Sequence, residues 1–165
     1  MKYLFDSNTL IEAKNRYYSM TVCPAYWLWL IQKNQSHDVA SITPVSIELR
    51  EGKDELSEWV AANPDIFVDV DDEETQTNFW GVANLVIGQA PKMKAGAVEE
   101  FLSGADPWLI AKAMTSGATV VTHEAYHPDA KRKFLIPNIC KHFGINWINT
   151  FEMLDTLEAR FVLPA

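Results

Sequence analysis

Four acidic residues stand where the chain pattern predicts catalytic or metal-binding positions. Asp6 follows the apolar run KYLF, and Glu124 closes the run TVVTHE, so both come after an expected strand. Glu48 lies in the helical segment after the second expected strand, and Asp106 opens the helical segment before the fourth. Carboxylate oxygens are hard ligands that suit Mg²⁺ and Mn²⁺. A metal held in this way would activate water and polarise a phosphate, so these residue types are chemically suited to metal-dependent phosphoryl chemistry.

Each acid also has a simpler explanation. Asp6 could be only the N-cap of a helix beginning at Thr9, and Asp106 could be only the N-cap before Pro107. Glu48 on a helix could be a solvated surface charge, and Glu124 could be a turn residue. The chain contains 22 acidic residues, so placement of four of them by chance is easy.

The surrounding elements predict where these acids lie. Five short runs are apolar or β-branched without alternation, which is typical of parallel strands buried on both faces. Helical stretches separate them, so we expect a three-layer α/β/α sandwich around a central parallel sheet. In such sheets ligands bind at the carboxyl ends of the strands. The expected strands are Lys2–Phe5, Val39–Ile42, Ile66–Val70, Thr119–Thr122 and Asn146–Ile148.

The helices are predicted from residues that typically begin and end helices. Thr43 and Thr150 are expected N-caps, and Gly117 and Gly144 are expected terminators. The stretch from Gly88 to Gly104 is expected to be a mobile loop. The expected helices are Pro24–Asn34, one opening at Thr43-Pro44, Asp54–Ala62, Asp71–Ile87, Asp106–Met114, Pro137–Phe143 and Thr150–Ala159.

Length and composition limit the class of protein. The chain has 165 residues, which fits a single domain over residues 1–165. A net charge of −8 argues against a protein that coats DNA electrostatically, so any phosphate-binding surface must be local. Cys23 and Cys140 fit no zinc or CxxC spacing and are expected to be free thiols. No run resembles a signal peptide or a membrane span, so we expect a cytoplasmic protein without a membrane segment.

Four motifs taken together resemble the PIN domain. They are DSNTLIE near the start, VSIEL after the second strand, ADPWLIAKA, and VVTHE. The resemblance implies a sheet of order 3-2-1-4-5 and a ribonuclease site formed by Asp6, Glu48, Asp106 and Glu124. It spans nearly the whole chain, and the strings IEAKNRYY, DELSEW, EFLSGADPWLIAKA and NTFEML resemble one bacterial group of PIN-like proteins of unassigned function.

The chain departs from the usual PIN pattern at two positions. Glu124 stands where most PIN domains have Asp, and His123 stands where Asn is common. A glutamate is one methylene longer than an aspartate, so its carboxylate still reaches a metal directly or through water. The departure therefore affects the coordination in detail and leaves the overall site in place.

The resemblance implies a role for each side chain. Asp6 and Asp106 are the expected ligands of Mg²⁺ or Mn²⁺, and Glu124 completes the metal site. Glu48 orients or deprotonates the attacking water, and hydrolysis leaves a 5′-phosphate and a 3′-hydroxyl. Asn8 and Thr122 are expected to support the ligands, although turn and capping roles explain them equally well.

Basic and aromatic residues near the strand ends are candidates for contact with RNA. A solvated basic face explains the cations as well, and burial in the core explains most aromatic residues. The candidates are Lys14, Arg16, Lys131, Arg132 and Lys133 for phosphates, and Tyr17, Tyr18 and Tyr126 for bases.

Two other functions stay open at this stage. A haloacid-type phosphohydrolase requires Asp-x-Asp, whereas this chain has Asp6-Ser7-Asn8. A PIN fold without catalysis could serve as a protein-binding module. The string HEAYH is one residue short of HExxH, so zinc is not favoured. Family resemblance implies a toxin with a DNA-binding antitoxin as its partner. It also implies a possible homodimer, to which some of the six tryptophans could contribute, although most tryptophans are expected in the core.

Overall fold

The sheet consists of five parallel strands. The computed structural model describes residues 1–164, so Ala165, the last residue of the expected domain, lies outside the described residues. The strand order is β3-β2-β1-β4-β5, which confirms the expected 3-2-1-4-5 order. The strands are β1 (Tyr3–Phe5), β2 (Val39–Ile42), β3 (Phe67–Val68), β4 (Thr119–Val121) and β5 (Trp147–Ile148).

The central strands are buried on both faces, as their continuous apolar runs predicted. Leu4 in β1 lies opposite Ala40 in β2 and Val120 in β4. Leu4 and Val120 are completely buried and Ala40 is 3% exposed. The third strand is shorter than the expected Ile66–Val70, because Pro64–Ile66 forms a 3₁₀ turn just before it.

Helices cover the sheet to form an α/β/α sandwich. Helix α7 packs against β1, β2 and β4, and α5 packs on α7. No helix within residues 1–164 is long and apolar enough to cross a membrane. The helices are α1 (Ser7–Glu12), α2 (Pro24–Gln35), α3 (Thr43–Glu51), α4 (Glu55–Ala62), α5 (Glu73–Gly88), α6 (Ala97–Ser103), α7 (Asp106–Ser116), α8 (Ile136–Phe143) and α9 (Thr150–Thr156).

The prediction of a mobile loop from Gly88 to Gly104 is wrong. Most of it is ordered as a 3₁₀ turn and helix α6, which begins after Gly96 in a left-handed conformation. Ala97 and Phe101 are 3% and 6% exposed, so this short helix is held by burial of two side chains in the core. Its position matters because it leads directly into α7 and Asp106.

Three expected N-caps are corrected by one residue. Thr43 is the first residue of α3, and its hydroxyl donates to the Val68 carbonyl at 3.3 Å. Asn149, rather than Thr150, caps α9 through a capping box with Glu152. Asp106 is the first residue of α7 and makes no cap bond, because Ala105 occupies the cap position. The N-cap explanation of Asp106 is therefore wrong, and its carboxylate lies in the first turn of α7.

Candidate active site

Asp6 lies at the point where the order of the sheet reverses. Its N–H donates to the Val121 carbonyl at 3.1 Å, which continues the pairing of β1 with β4. Its carboxylate also caps α1, because it accepts a hydrogen bond from the Thr9 N–H at 2.8 Å. The capping explanation of Asp6 is correct, but a cap of an isolated helix would be solvated, whereas Asp6 is only 3% exposed. A buried cap facing a pocket is compatible with a second, functional role.

Thr122 fixes the second carboxylate oxygen of Asp6. Its hydroxyl donates to Asp6 Oδ2 at 2.7 Å across the gap between β1 and β4. The same hydroxyl accepts the Glu124 N–H at 3.1 Å. Each carboxylate oxygen has two lone pairs, so each Asp6 oxygen keeps one after these hydrogen bonds. Asp6 is thus oriented by its neighbours and can still bind a further group.

Glu48 joins three segments of the pocket. It is projected from α3, and its Oε2 accepts the hydroxyl of Ser7 at 2.5 Å. Its Oε1 accepts the N–H of Ala105 at 2.8 Å, immediately before Asp106. Gly104 lies beside this contact, and a Cβ there would be in van der Waals contact with Glu48 Oε1 at 3.4 Å. Glu48 is therefore held in one orientation at the mouth of the pocket.

Glu124 is directed inward by the start of α8. Its Oε2 accepts the N–H of Ile136 at 2.8 Å, where the free N–H groups of a helix favour an anion. Its Oε1 lies 3.7 Å from Lys133 Nζ, and the side chain is 15% exposed. The longer side chain noted from the sequence thus reaches α8 while still lining the pocket.

One pocket of about 340 Å³ contains all four acids. Its lining also includes residues that sequence reasoning did not assign to the site, among them Ser7, Glu100 and Gly104. Asn8 also lines the pocket, and Lys133 is the cation of its lining within the described residues. Spacing alone gives no signal for Glu100 and Gly104, because they come from α6 and its C-terminal end, whereas Ser7 directly follows Asp6 at the start of α1.

The pocket disfavours negative charge on its two aspartates. Burial raises the pKa of Asp6 to about 6, against the hydrogen bonds from Thr122 and Thr9, and Glu124 raises it further. Burial also raises the pKa of Asp106 to about 7, and the charges of Asp6, Glu124 and Glu48 add to the effect. Carboxyls with such values are concentrated at functional sites. A bound cation would restore the ionised forms.

The donor set fits an open magnesium or manganese site rather than a closed cage. Among residues 1–164, no three Asp, Glu, His or Cys side chains converge closely enough to hold a metal ion by themselves. Magnesium commonly uses one or two carboxylates, with waters and substrate phosphates as the other ligands. Asp6 and Asp106 meet that requirement, because both face the pocket and both keep free lone pairs.

The other expected RNA contacts divide into two groups. Lys14 is paired with Asp54, and Arg16 lies 3.2 Å from Glu12, so neither side chain belongs to the acid pocket. Lys131 and Arg132 are exposed on the loop after β4. Only the second group lies beside Lys133 and the pocket.

The three aromatic candidates for base contact lie in different surroundings. Tyr18 stacks on the buried Tyr26 with ring centroids 4.6 Å apart, so it is part of the core. Tyr17 is 47% exposed and lies 5.0 Å from Phe151 and 6.1 Å from His123. Tyr126 lies under the Lys141 ammonium at 4.2 Å. Tyr17 is therefore the aromatic candidate nearest to the end of β4.

Comparison with known proteins places the chain in a family. The family model described as "Domain of unknown function (DUF4411)" matches residues 3–161. The chain belongs to this family. No curated protein matches its sequence.

Two solved structures share its fold. One is VapBC2 from Rickettsia felis, described as bound to a DNA fragment from the promoter of the pair, with 17% identity and a TM-score of 0.51. The other is VapBC-1 from nontypeable Haemophilus influenzae, with 16% identity and a TM-score of 0.52. Each similarity covers 90% of this chain and 98% of the other chain. The DUF4411 chain thus has the PIN fold expected from its motifs.

Proposed function

We propose that this DUF4411 chain is a metal-dependent endoribonuclease. The observation that carries the proposal is the pair of poorly solvated aspartates, Asp6 and Asp106, whose pKa values are raised to about 6 and about 7 in one pocket. Ionising them without a cation costs folding free energy. The pocket lies at the switch point of a parallel sheet, where α/β proteins bind their ligands.

The roles of the residues follow from their positions. Asp6 and Asp106 would hold the ion, and Glu124 would complete the site through a water molecule. When bound, Mg²⁺ or Mn²⁺ supplies charge stabilisation at the scissile phosphate and lowers the pKa of water. Glu48, fixed by Ser7 and Ala105, accepts the proton of the attacking water. The water oxygen bonds to phosphorus as the bond to the 3′-oxygen breaks, and the leaving 3′-oxygen takes a proton from solvent water, which leaves a 5′-phosphate and a 3′-hydroxyl.

We further propose that the chain acts in the cytoplasm as the toxin of a toxin–antitoxin pair. Two solved structures that share its fold are VapBC complexes, one of them with promoter DNA, which supports a DNA-binding antitoxin as the partner. Exposed apolar side chains support contact with another protein chain, either the antitoxin or a second copy. Trp80 is 64% exposed and Ile47 is 59% exposed.

The nuclease proposal is tested with purified protein and total RNA. Wild type is compared with the Asp6→Asn, Asp106→Asn double variant in Mn²⁺, in Mg²⁺ and in EDTA. We expect RNA loss only with wild type and metal, and new 5′-phosphate ends that accept ligation. Equal RNA integrity in all samples would contradict the nuclease and favour a binding module.

A further inference from the structure

A second cavity adjoins the acid pocket. It measures about 600 Å³ and shares Lys133 and Phe134 with the acid pocket, so the two cavities adjoin at these residues. We call it the lysine groove, after Lys92, Lys131 and Lys133, which line it. Asp129 is the acidic residue of its lining within the described part of the chain.

The walls of the lysine groove are fixed to each other. The N–H of Lys94 donates to the Lys131 carbonyl at 2.7 Å, which joins the turn after α5 to the loop after β4. Asn138 in α8 exchanges two hydrogen bonds with the His127 backbone, at 3.1 and 2.8 Å. Phe134 packs on Phe101 with ring centroids 5.6 Å apart. The groove is therefore a formed surface rather than a gap between loose loops.

The charge of the lysine groove opposes that of the molecule. The chain has a net charge of −8, yet three lysines face one aspartate here. Lys92 and Lys131 are exposed and form no ion pair with any residue from 1 to 164. Lys133, with its side chain 60% exposed, lies at the junction, 3.7 Å from Glu124 Oε1. Unpaired lysines beside a cleft are suited to a polyanion.

We propose that the lysine groove binds the sugar–phosphate backbone of the RNA strand that is cut in the acid pocket. The strand runs along Lys92 and Lys131, passes Lys133, and enters the acid pocket with its scissile phosphate. This proposal rests on the proposed nuclease function and names the path of its substrate. Because phosphate contacts carry no sequence information, the groove sets the register of the strand and not the base at the cut.

The test is a binding measurement on uncut RNA. Fluorescein-labelled oligouridylate is titrated in EDTA, by anisotropy, against wild type, K92Q/K131Q and the matched control R50Q/R160Q. The control removes two exposed cations that line neither cavity. Neutralising two phosphate contacts should reduce the slope of log affinity against log salt by about 1.4, at about 0.7 for each single-stranded phosphate. The control should keep the wild-type slope.

A second probe removes the charge from the RNA instead of the protein. Oligouridylate with methylphosphonate linkages should bind wild type more weakly than the natural RNA, and K92Q/K131Q should discriminate less between the two. This comparison remains valid if the lysine variants differ from wild type in stability, which thermal melting measures in parallel.

The outcomes separate this proposal from the nuclease proposal. Equal salt slopes in K92Q/K131Q and R50Q/R160Q would overturn the proposed binding of RNA in the lysine groove, whether or not wild type cuts RNA. Binding of a polyglutamate peptide, lost in K92Q/K131Q, with no binding of oligouridylate, would also overturn it and assign the surface to an acidic protein. A groove-dependent slope without cleavage in Mn²⁺ would support the groove and contradict the nuclease.

Discussion

Neutralising Asp106 should stabilise the folded protein while removing its activity. The substitution Asp106→Asn keeps the size of the side chain and deletes a charge that the pocket disfavours. The pKa of Asp106 is raised from 3.8 to about 7 by burial and by the charges of Asp6, Glu124 and Glu48. The folded state therefore binds a proton more tightly than the unfolded state, and stability falls as the pH rises from about 4 through about 7.

The size of the effect follows from linkage. A tenfold change in the acid dissociation constant corresponds to about 1.4 kcal/mol, so the ionised Asp106 costs at most about 4 kcal/mol at pH 8 and under about 2 kcal/mol at pH 5. Partial exposure of the side chain to solvent reduces the expected gain to about 2–4 kcal/mol at pH 8. The gain should shrink on acidification, because wild type then carries the proton that the amide replaces.

The assay is urea unfolding in EDTA at pH 8 and pH 5, for wild type, Asp106→Asn and the exposed control Asp65→Asn. We expect the midpoint of Asp106→Asn to exceed that of wild type at pH 8, with a smaller difference at pH 5 and little effect of Asp65→Asn. Adding Mn²⁺ should raise the midpoint of wild type and leave that of Asp106→Asn nearly unchanged. An Asp106→Asn protein no more stable than wild type at pH 8 would refute the description of Asp106 as a disfavoured charge.

Three further outcomes are expected. Thr122→Val removes the hydroxyl that donates to Asp6 Oδ2 and leaves this buried oxygen without that hydrogen bond. The free energy of unfolding should fall by about 1–3 kcal/mol in urea melts, with Thr77→Val as an exposed control. An unchanged midpoint would count against that hydrogen bond. Gly104→Ala places a Cβ at van der Waals distance, 3.4 Å from Glu48 Oε1, so it should leave the cleavage rate close to that of wild type, as should Gly88→Ala, which meets open space; a large loss of rate in folded Gly104→Ala alone would contradict the described packing around Glu48. RNA cleavage at fixed Mn²⁺ should rise from pH 5 to pH 8 as the carboxyls with raised pKa values, Asp6 and Asp106, lose their protons, and a rate that falls over this range would exclude them as the metal-binding bases.

The sheet was predictable because its strands are buried on both faces. Runs such as Thr119–Thr122 are too short and too uniformly apolar to be amphipathic helices. The ends of β1 and β4 bring Asp6 and Glu124 to the same edge of the sheet. The order of the strands came from the motif resemblance, not from the runs themselves. The predicted N-caps at Thr43 and Thr150 were wrong by one residue. Asn149 takes the cap position before Thr150, and Thr43 is already helical, with its hydroxyl donating to the Val68 carbonyl instead.

The rest of the site depends on contacts between distant segments. The hydrogen bond from Ala105 to Glu48 joins residues 57 positions apart. Lys14 is likewise neutralised by Asp54, which lies 40 positions away. Helix α6 is held by burial of Ala97 and Phe101 and not by its own sequence signals, so the sequence predicted a loop in its place. The prediction therefore missed the helix that positions Glu100 and Gly104 in the pocket. None of these pairings is visible in spacing along the chain.

The most direct test of the carboxylate site is the rate of RNA cleavage under single-turnover conditions in Mn²⁺. Wild type, Asp106→Asn and Asp65→Asn are compared on the same labelled RNA, with folding verified by circular dichroism. We expect wild type and Asp65→Asn to cut at equal rates, and Asp106→Asn to lose at least about a hundredfold. Cleavage by Asp106→Asn at the wild-type rate would contradict the assignment of the site.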